Sequence, residues 1–366
     1  MVENKTIEIV KAFCRQNIWI ILALVVLTLN IILVYVNFLA PSSPPPVVPA
    51  VPEPVVVEQA PEGMVRSSLI GEYIAEMSAA RRPFAVMLDD FPSARPESGV
   101  SNADWVWETL VEGGVTRVMA VFQSADSATI GPVRSAREYF LPLASELNAI
   151  YVHSGGSPAA LQQLATTKML TNADEFANGS AFYRRANLVA PHNLFTSIEK
   201  LTTLSLAKKW NTPAEVSARQ FSDDVPAGGE AAKTATIDFS LPSYRVTWRW
   251  DDVHGRYLRF VGGVEATDRE NANKVGAATV VVELTKVAPA PRVNVPAAVS
   301  VSTVGEGDAW FFRNGKAFTG RWQKKSASSA TAFLDANGQP FTFARGSVWV
   351  EVASASRKNV VSFSAE

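Results

Sequence analysis

Arg134 and Arg137 stand three residues apart, just after the pair Gly131-Pro132. Proline at a first helical position predicts a helix from Pro132 to about Leu147, with both guanidiniums in its opening turns. A helix N-terminus already carries about half a positive charge, so two arginines there call for an anion. One source is external: a phosphate, sulfate or carboxylate held by backbone N–H groups and the two guanidinium forks. The other is internal. Asp104, Glu108 and Glu112 recur every four residues and would form an acidic ridge that basic groups could face. The candidate ligand-binding residues are therefore Arg95, Asp104, Glu108, Arg117, Arg134, Arg137 and His153, and the ligand class is anionic.

A second chemistry uses the carboxylates. Asp89, Asp90, Asp104 and Glu108 could serve as acid/base groups or metal ligands, with His153 as proton carrier, in a hydrolase or transferase acting on cell-envelope polymers. Ser157, in Gly155-Gly156-Ser157-Pro158-Ala159, invites comparison with a nucleophile elbow, but Ala159 replaces the last glycine. An N-cap serine followed by proline explains the same letters without chemistry. Trp248, Trp250, Trp322 and Trp349 could form a ligand platform, although aromatics at alternate strand positions more often build a core. The favoured reading assigns no catalytic residue, no metal and no cofactor: one cysteine and three histidines leave little for a metal centre. A formal charge of −1 offers no global basic field, so nucleic acid is not an expected partner.

These side chains need a scaffold. Phe84–Leu88, Thr116–Gln123 and Ala149–His153 read as buried strands, and segments 67–80, 103–112 and 132–147 as helices, with a further helix opening at Ser157. That alternation predicts a layered α/β sandwich over residues 67–225. Its sites would gather at strand carboxyl ends, where Asp89 and Asp90, then Gln123, Ser124 and Asp126, then His153 and Ser154 would converge. From residue 234 to 366 the pattern alternates. Val246, Trp248 and Trp250, the run Ala278–Leu284, and hairpin turns at Asn314-Gly315 and Asn337-Gly338 predict a smaller β-rich domain.

Ahead of both lies Ile18–Ala40, 23 residues without a charge. As a helix it spans about 34 Å and matches a bilayer core of about 30 Å. Lys5, Lys11 and Arg15 flank its N-terminal side, which predicts a single-pass cell-membrane protein with residues 1–17 cytoplasmic and the folded part extracytoplasmic. The Pro-rich stretch 41–66 reads as a linker.

The blocks Ala94-Arg95-Pro96-Glu97-Ser98-Gly99, Glu112-Gly113-Gly114-Val115-Thr116-Arg117 and Ile130-Gly131-Pro132-Val133-Arg134-Ser135-Ala136-Arg137 resemble the YerB-like lipoprotein family of bacteria. Tyr151–Pro158 and Ala190-Pro191-His192-Asn193-Leu194 continue the resemblance, which covers nearly everything from Arg82 to Val352. It implies an extracytoplasmic, membrane-attached protein with an α/β N-terminal domain of unknown function and a β-rich C-terminal one, and it implies no particular reaction. Two departures stand out. Cys14 precedes the apolar stretch, where a lipoprotein's modified cysteine would follow it, and Asp90 and Glu97 stand where the family leads one to expect amides. The expected role is an envelope binding or assembly factor, its partner an anionic cell-wall component or an envelope protein.

Overall fold

The structure is a computed structural model that describes residues 2–39, 60–213, 216–291, 295 and 297–366. The chain divides into two compact units, Met1–Glu58 and Gln59–Glu366. In the first, α1 (Val2–Gln16) and α2 (Ile18–Val34) are followed by a wider-wound turn, Tyr35–Leu39. Ile18–Phe38 is long and apolar enough to cross a membrane. Residues 41–59 of the expected linker lie outside the described residues. Its last three, Met64–Arg66, form strand β1.

The second unit is richer in strand than the expected α/β sandwich. Its strands include β2 (Tyr73–Ala75), β3 (Phe84–Asp89), β4 (Trp105–Leu110), β5 (Thr116–Phe122), β6 (Ile150–His153) and β7 (Thr171–Asp174). The C-terminal half adds β8 (Thr234–Asp238), β9 (Arg245–Asp251), β10 (Arg256–Val261), β11 (Val264–Glu265) and β12 (Thr279–Thr285). It closes with β13 (Gly305–Arg313), β14 (Lys316–Lys324), β15 (Val348–Ser354) and β16 (Val361–Ser364). An 11-stranded mixed sheet runs through β14-β13-β12-β15-β4-β5-β3-β6-β7, with Glu230–Ala231 and Ala332–Asp335 paired to β14. Both halves of the chain build it, joined where β15 lies parallel to β4 with Val348 opposite Trp105. A smaller sheet holds β8, β9, β10, β11 and β16.

The large sheet is buried on both faces. Phe84, Val86 and Leu88 of β3 face one core with Val246, Trp248 and Tyr257 of the smaller sheet and Ile198 and Leu201 of a helix at Ile198–Ala207. Ala85 and Met87 face the other, with Leu141, Leu143, Phe311 and Trp322. Trp248, Trp322 and Trp349 are thus core side chains and not a platform.

Three expected helices are corrected. Residues 105–110, inside the segment expected at 103–112, form β4: Trp105 and Trp107 enter one core and Val106 the other. A strand buried on both faces is apolar at nearly every position and so satisfies helical spacing by accident. Segment 67–80 is largely a turn between β1 and β2, with helix only at Glu76–Ala80; Gly71, at φ +68°, sits against the Phe221 ring where a Cβ would collide. Segment 132–147 opens as extended chain bridged at Val133 to Leu88 of β3 and at Ala136 to Gly156, and becomes helical only at Glu138–Phe140 and Leu141–Ser145. The Asn314-Gly315 hairpin stands as read, both residues at positive φ between β13 and β14.

Candidate functional site

Strand direction decides which loops meet. β3 runs parallel to β6 and β6 to β7, but β5 is antiparallel to β3, with Asp89 opposite Arg117. One rim therefore collects the ends of β3, β6 and β7 with the start of β5. Gln123, Ser124 and Asp126, expected on that rim, lie at the opposite edge, because a tight turn at Glu112–Gly114 makes β4 and β5 an antiparallel pair. Asp104 belongs to that far edge as well. Its buried carboxylate accepts from the backbone N–H groups of Gln123 (2.5 Å) and Ser124 (2.9 Å) and from the Ser124 hydroxyl, and burial still pushes its pKa up.

On the rim, Asp89 is the organising carboxylate. Its Oδ2 receives His192 Nδ1–H at 2.6 Å, and Arg134 Nε lies 3.0 Å from the same atom as an ion pair without an aligned N–H. Its Oδ1 accepts from Phe91 N–H at 3.1 Å. The His192 ring stacks on half-exposed Phe91, centroids 5.5 Å apart. Arg137 grips Glu112 with two bonds of 2.5 and 2.7 Å. Burial alone would raise Glu112, but this grip outweighs it and holds the carboxyl below its usual range.

Arg117 lies buried among them. It donates to the Ser135 carbonyl at 3.0 Å, and its Nε has no partner. Burial, then the charges of Arg137 and Arg134, bring its pKa down to about 10. Three guanidiniums here share two carboxylates, Asp89 and Glu112. Arg134 and Arg137 come together, but Arg134 lies on extended chain and Arg137 caps the short helical stretch that begins at Glu138, so neither sits in the opening turns of a helix.

The other expected residues separate from this cluster. His153 is fully buried, with Nδ1 on the Gly155 carbonyl (2.7 Å) and Nε2 on the Asn172 amide (2.6 Å), which leaves neither nitrogen for a ligand. Arg95 holds Asp90 through two bonds of 2.9 and 3.0 Å. Glu108 is buried against Arg259 at 2.7 Å, and burial raises its pKa. Arg259 also lies 3.7 Å from Asp90, and its guanidinium covers the Trp349 ring at 4.7 Å. Burial would raise Asp90, but Arg259 and Arg95 pull it below the usual range. Ser157 is the N-cap of a helix at Pro158–Thr167, accepting from Ala160 N–H and donating to Glu138 at 2.7 Å. Among the described residues no group of three or more His, Cys, Asp or Glu is arranged to hold a metal ion.

Sequence reasoning left His192 without a place and did not single out Arg259. Each meets its carboxylate across more than 100 residues of chain, and no local pattern signals that.

Residues 69–211 match the family described as "Protein of unknown function (DUF3048) N-terminal domain", and residues 235–350 match its C-terminal domain. The chain belongs to this YerB-like family. Among its relatives is "Putative lipoprotein YerB" of Bacillus subtilis (strain 168), 35% identical over 214 residues. That match covers 58% of this chain and 64% of the relative, and so spans less than two thirds of the relative's length. The crystal structure of YerB protein from Bacillus subtilis superposes with a TM-score of 0.73 at 28% identity, over 82% of this chain and 99% of that one.

Proposed function

We propose that this protein is a membrane-tethered, extracytoplasmic binding factor that holds an acidic envelope ligand at the Asp89/Arg134 rim and catalyses no reaction of its own. The observation that carries this is the local charge: Arg117, Arg134 and Arg137 against Asp89 and Glu112 leave one positive charge over, on a rim where Arg134, Arg137 and Glu112 are partly exposed. An entering anion is the missing counter-charge, and Phe91 and His192 give it an apolar edge and a polar one. The apolar helix Ile18–Phe38 supports the tether, and Lys5, Lys11 and Arg15 support a cytoplasmic N-terminus. A relative named as a lipoprotein supports the compartment. Cys14 precedes the apolar run, so residues 18–40 are themselves the anchor. The test is calorimetric titration of the detergent-solubilised full chain with polyphosphate as a model acidic polymer. Binding should weaken with added salt and be lost in Arg134→Ala. Binding unchanged by that substitution, or no binding, refutes the reading.

The Asp89–His192 pair favours a second reading, a hydrolase or transferase acting on envelope polymers. A carboxylate on Nδ1 leaves Nε2 as the basic nitrogen, poised to take a proton. Turnover of wall-polymer fragments that His192→Gln abolishes and Ser157→Ala preserves would establish it.

A further inference from the structure

A second cavity, of about 470 Å³, lies at the far edge of the large sheet, where Asp104 and Ser124 stand, away from the rim. The β1–β2 turn, the β9–β10 turn and the chain entering β15 wall it, so both halves of the chain contribute. Gly346 N–H donates to the Ile70 carbonyl at 2.8 Å and ties two of these walls together. The volume falls within the range of small-molecule sites. Most of the charge around it is already paired. Asp104 is held by the backbone N–H groups of Gln123 and Ser124, Arg345 pairs with Asp223, and His254 Nδ1 donates to Asp251 at 2.6 Å.

Two lining groups of opposite sign are left over, Glu72 and Arg256. Among the described residues neither the Glu72 carboxyl nor the Arg256 guanidinium has an ion pair or a hydrogen bond, and the two do not pair with each other. Glu72 Oε1 stands 3.7 Å from where a Cβ on Gly346 would sit, and Ala278 Cβ stands 2.9 Å from the same point, so the carboxyl lies on the wall that Gly346 and Ala278 form. Burial, then the charges of Asp104 and Asp223, raise its pKa, as befits a carboxyl that lacks a cation. Arg256 Cδ stands 3.2 Å from where a Cβ on Gly276 would sit, and the Gly276 carbonyl accepts from the hydroxyl of Ser347, a further lining residue, at 3.2 Å. Arg256 Nε is buried, so the terminal nitrogens are the ones open to a ligand. A simple anion or cation would satisfy one of the two groups and leave the other as it is. A molecule that carries both signs satisfies both, its carboxylate on the guanidinium fork and its ammonium on the carboxylate.

We propose that this cavity binds a small zwitterion, an α-amino acid or a short peptide, with its carboxylate on Arg256 and its ammonium on Glu72. Ile70, Ala103 and Ala278 are among the apolar lining, which suits a small side chain. The site shares no residue with the rim, and a failure there leaves this proposal standing.

The experiment is saturation-transfer NMR on the full chain in detergent micelles, with L-alanine and L-alanyl-L-alanine as probes. N-acetyl-L-alanine, which lacks the ammonium, and L-alaninamide, which lacks the carboxylate, are the controls. The methyl groups of at least one zwitterion should receive saturation, and those of neither control should. The stronger probe tells amino acid from peptide. Arg256→Gln and Glu72→Gln should each abolish the transfer, and Ala125→Trp, which fills the cavity from a part-buried position, should abolish it without touching either charge. Thermal unfolding of each variant shows that it is folded. Silence from both zwitterions, a control that binds as well as they do, or transfer that survives Glu72→Gln or Ala125→Trp would overturn the proposal.

Discussion

Glu283 of β12 offers the sharpest test of the buried electrostatics. It is 1% exposed, one carboxyl oxygen has no partner, and burial, followed by the charge of Glu146, pushes its pKa up to about 8. The unfolded chain releases this proton near pH 4.5, the ordinary value, whereas the folded chain keeps it until about pH 8. A carboxyl with a raised folded pKa favours the fold at low pH. Its contribution is undiminished below pH 4.5, is lost at about 1.4 kcal/mol per pH unit as pH rises toward 8, and changes no further above that. The full loss is about 5 kcal/mol. Glu283→Gln keeps the shape of the neutral acid and removes the titration. Relative to the wild type, the variant should gain stability steadily between pH 4.5 and 8 and hold the gain beyond. For a folded unit of about 300 residues, 5 kcal/mol corresponds to about 8 °C in Tm. Thermal unfolding of both full-length chains at pH 5, 7 and 9, followed by circular dichroism, reads this directly. Parallel pH profiles would refute the reasoning, because they would mean that Glu283 is ionised in the folded protein.

Other tests use the same logic of stranded partners. Arg259→Met leaves Glu108 and Asp90 without their shared cation in a dry interior, and should cost about 3–5 kcal/mol and lower Tm by about 5–8 °C. An unchanged Tm would show that the carboxylates there are already neutral. Ser157→Ala removes a cap and a bond to Glu138, and should cost about 1 kcal/mol in urea unfolding while ligand binding at the rim persists. Loss of binding at unchanged stability would return Ser157 to the list of functional groups. Loss of polyphosphate binding in Arg134→Ala completes the set.

Much of the scaffold was legible where local physics is decisive. Asn314-Gly315 marks a hairpin because few other pairs tolerate two positive φ angles, and Ser157-Pro158 marks a helix start because a hydroxyl cap and a missing N–H suit that position. The strands at Phe84–Asp89 and Thr116–Phe122 announce themselves as short apolar runs. β4 did not. Burial on both faces erases the alternation that separates a strand from a helix, and the carboxylates Asp104 and Glu108, read as one ridge, stand near opposite concerns: Asp104 caps the far edge and Glu108 pairs with Arg259.

Seen whole, the amino-acid sequence by itself determined the apolar helix near the N-terminus, the β-rich character of the C-terminal half, the family and the presence of an Arg/carboxylate cluster, since each rests on composition, short-range spacing or matched blocks of residues. The tertiary structure decided the membership of the site. The antiparallel run of β5 sent Gln123, Ser124 and Asp126 to the far edge, and the parallel pairing of β15 with β4 made the two halves of the chain share one sheet. Long-range packing brought His192 to Asp89 and Arg259 to Glu108. Strand direction and contacts across 100 residues or more depend on which surfaces bury each other, and no local pattern of residues carries that information.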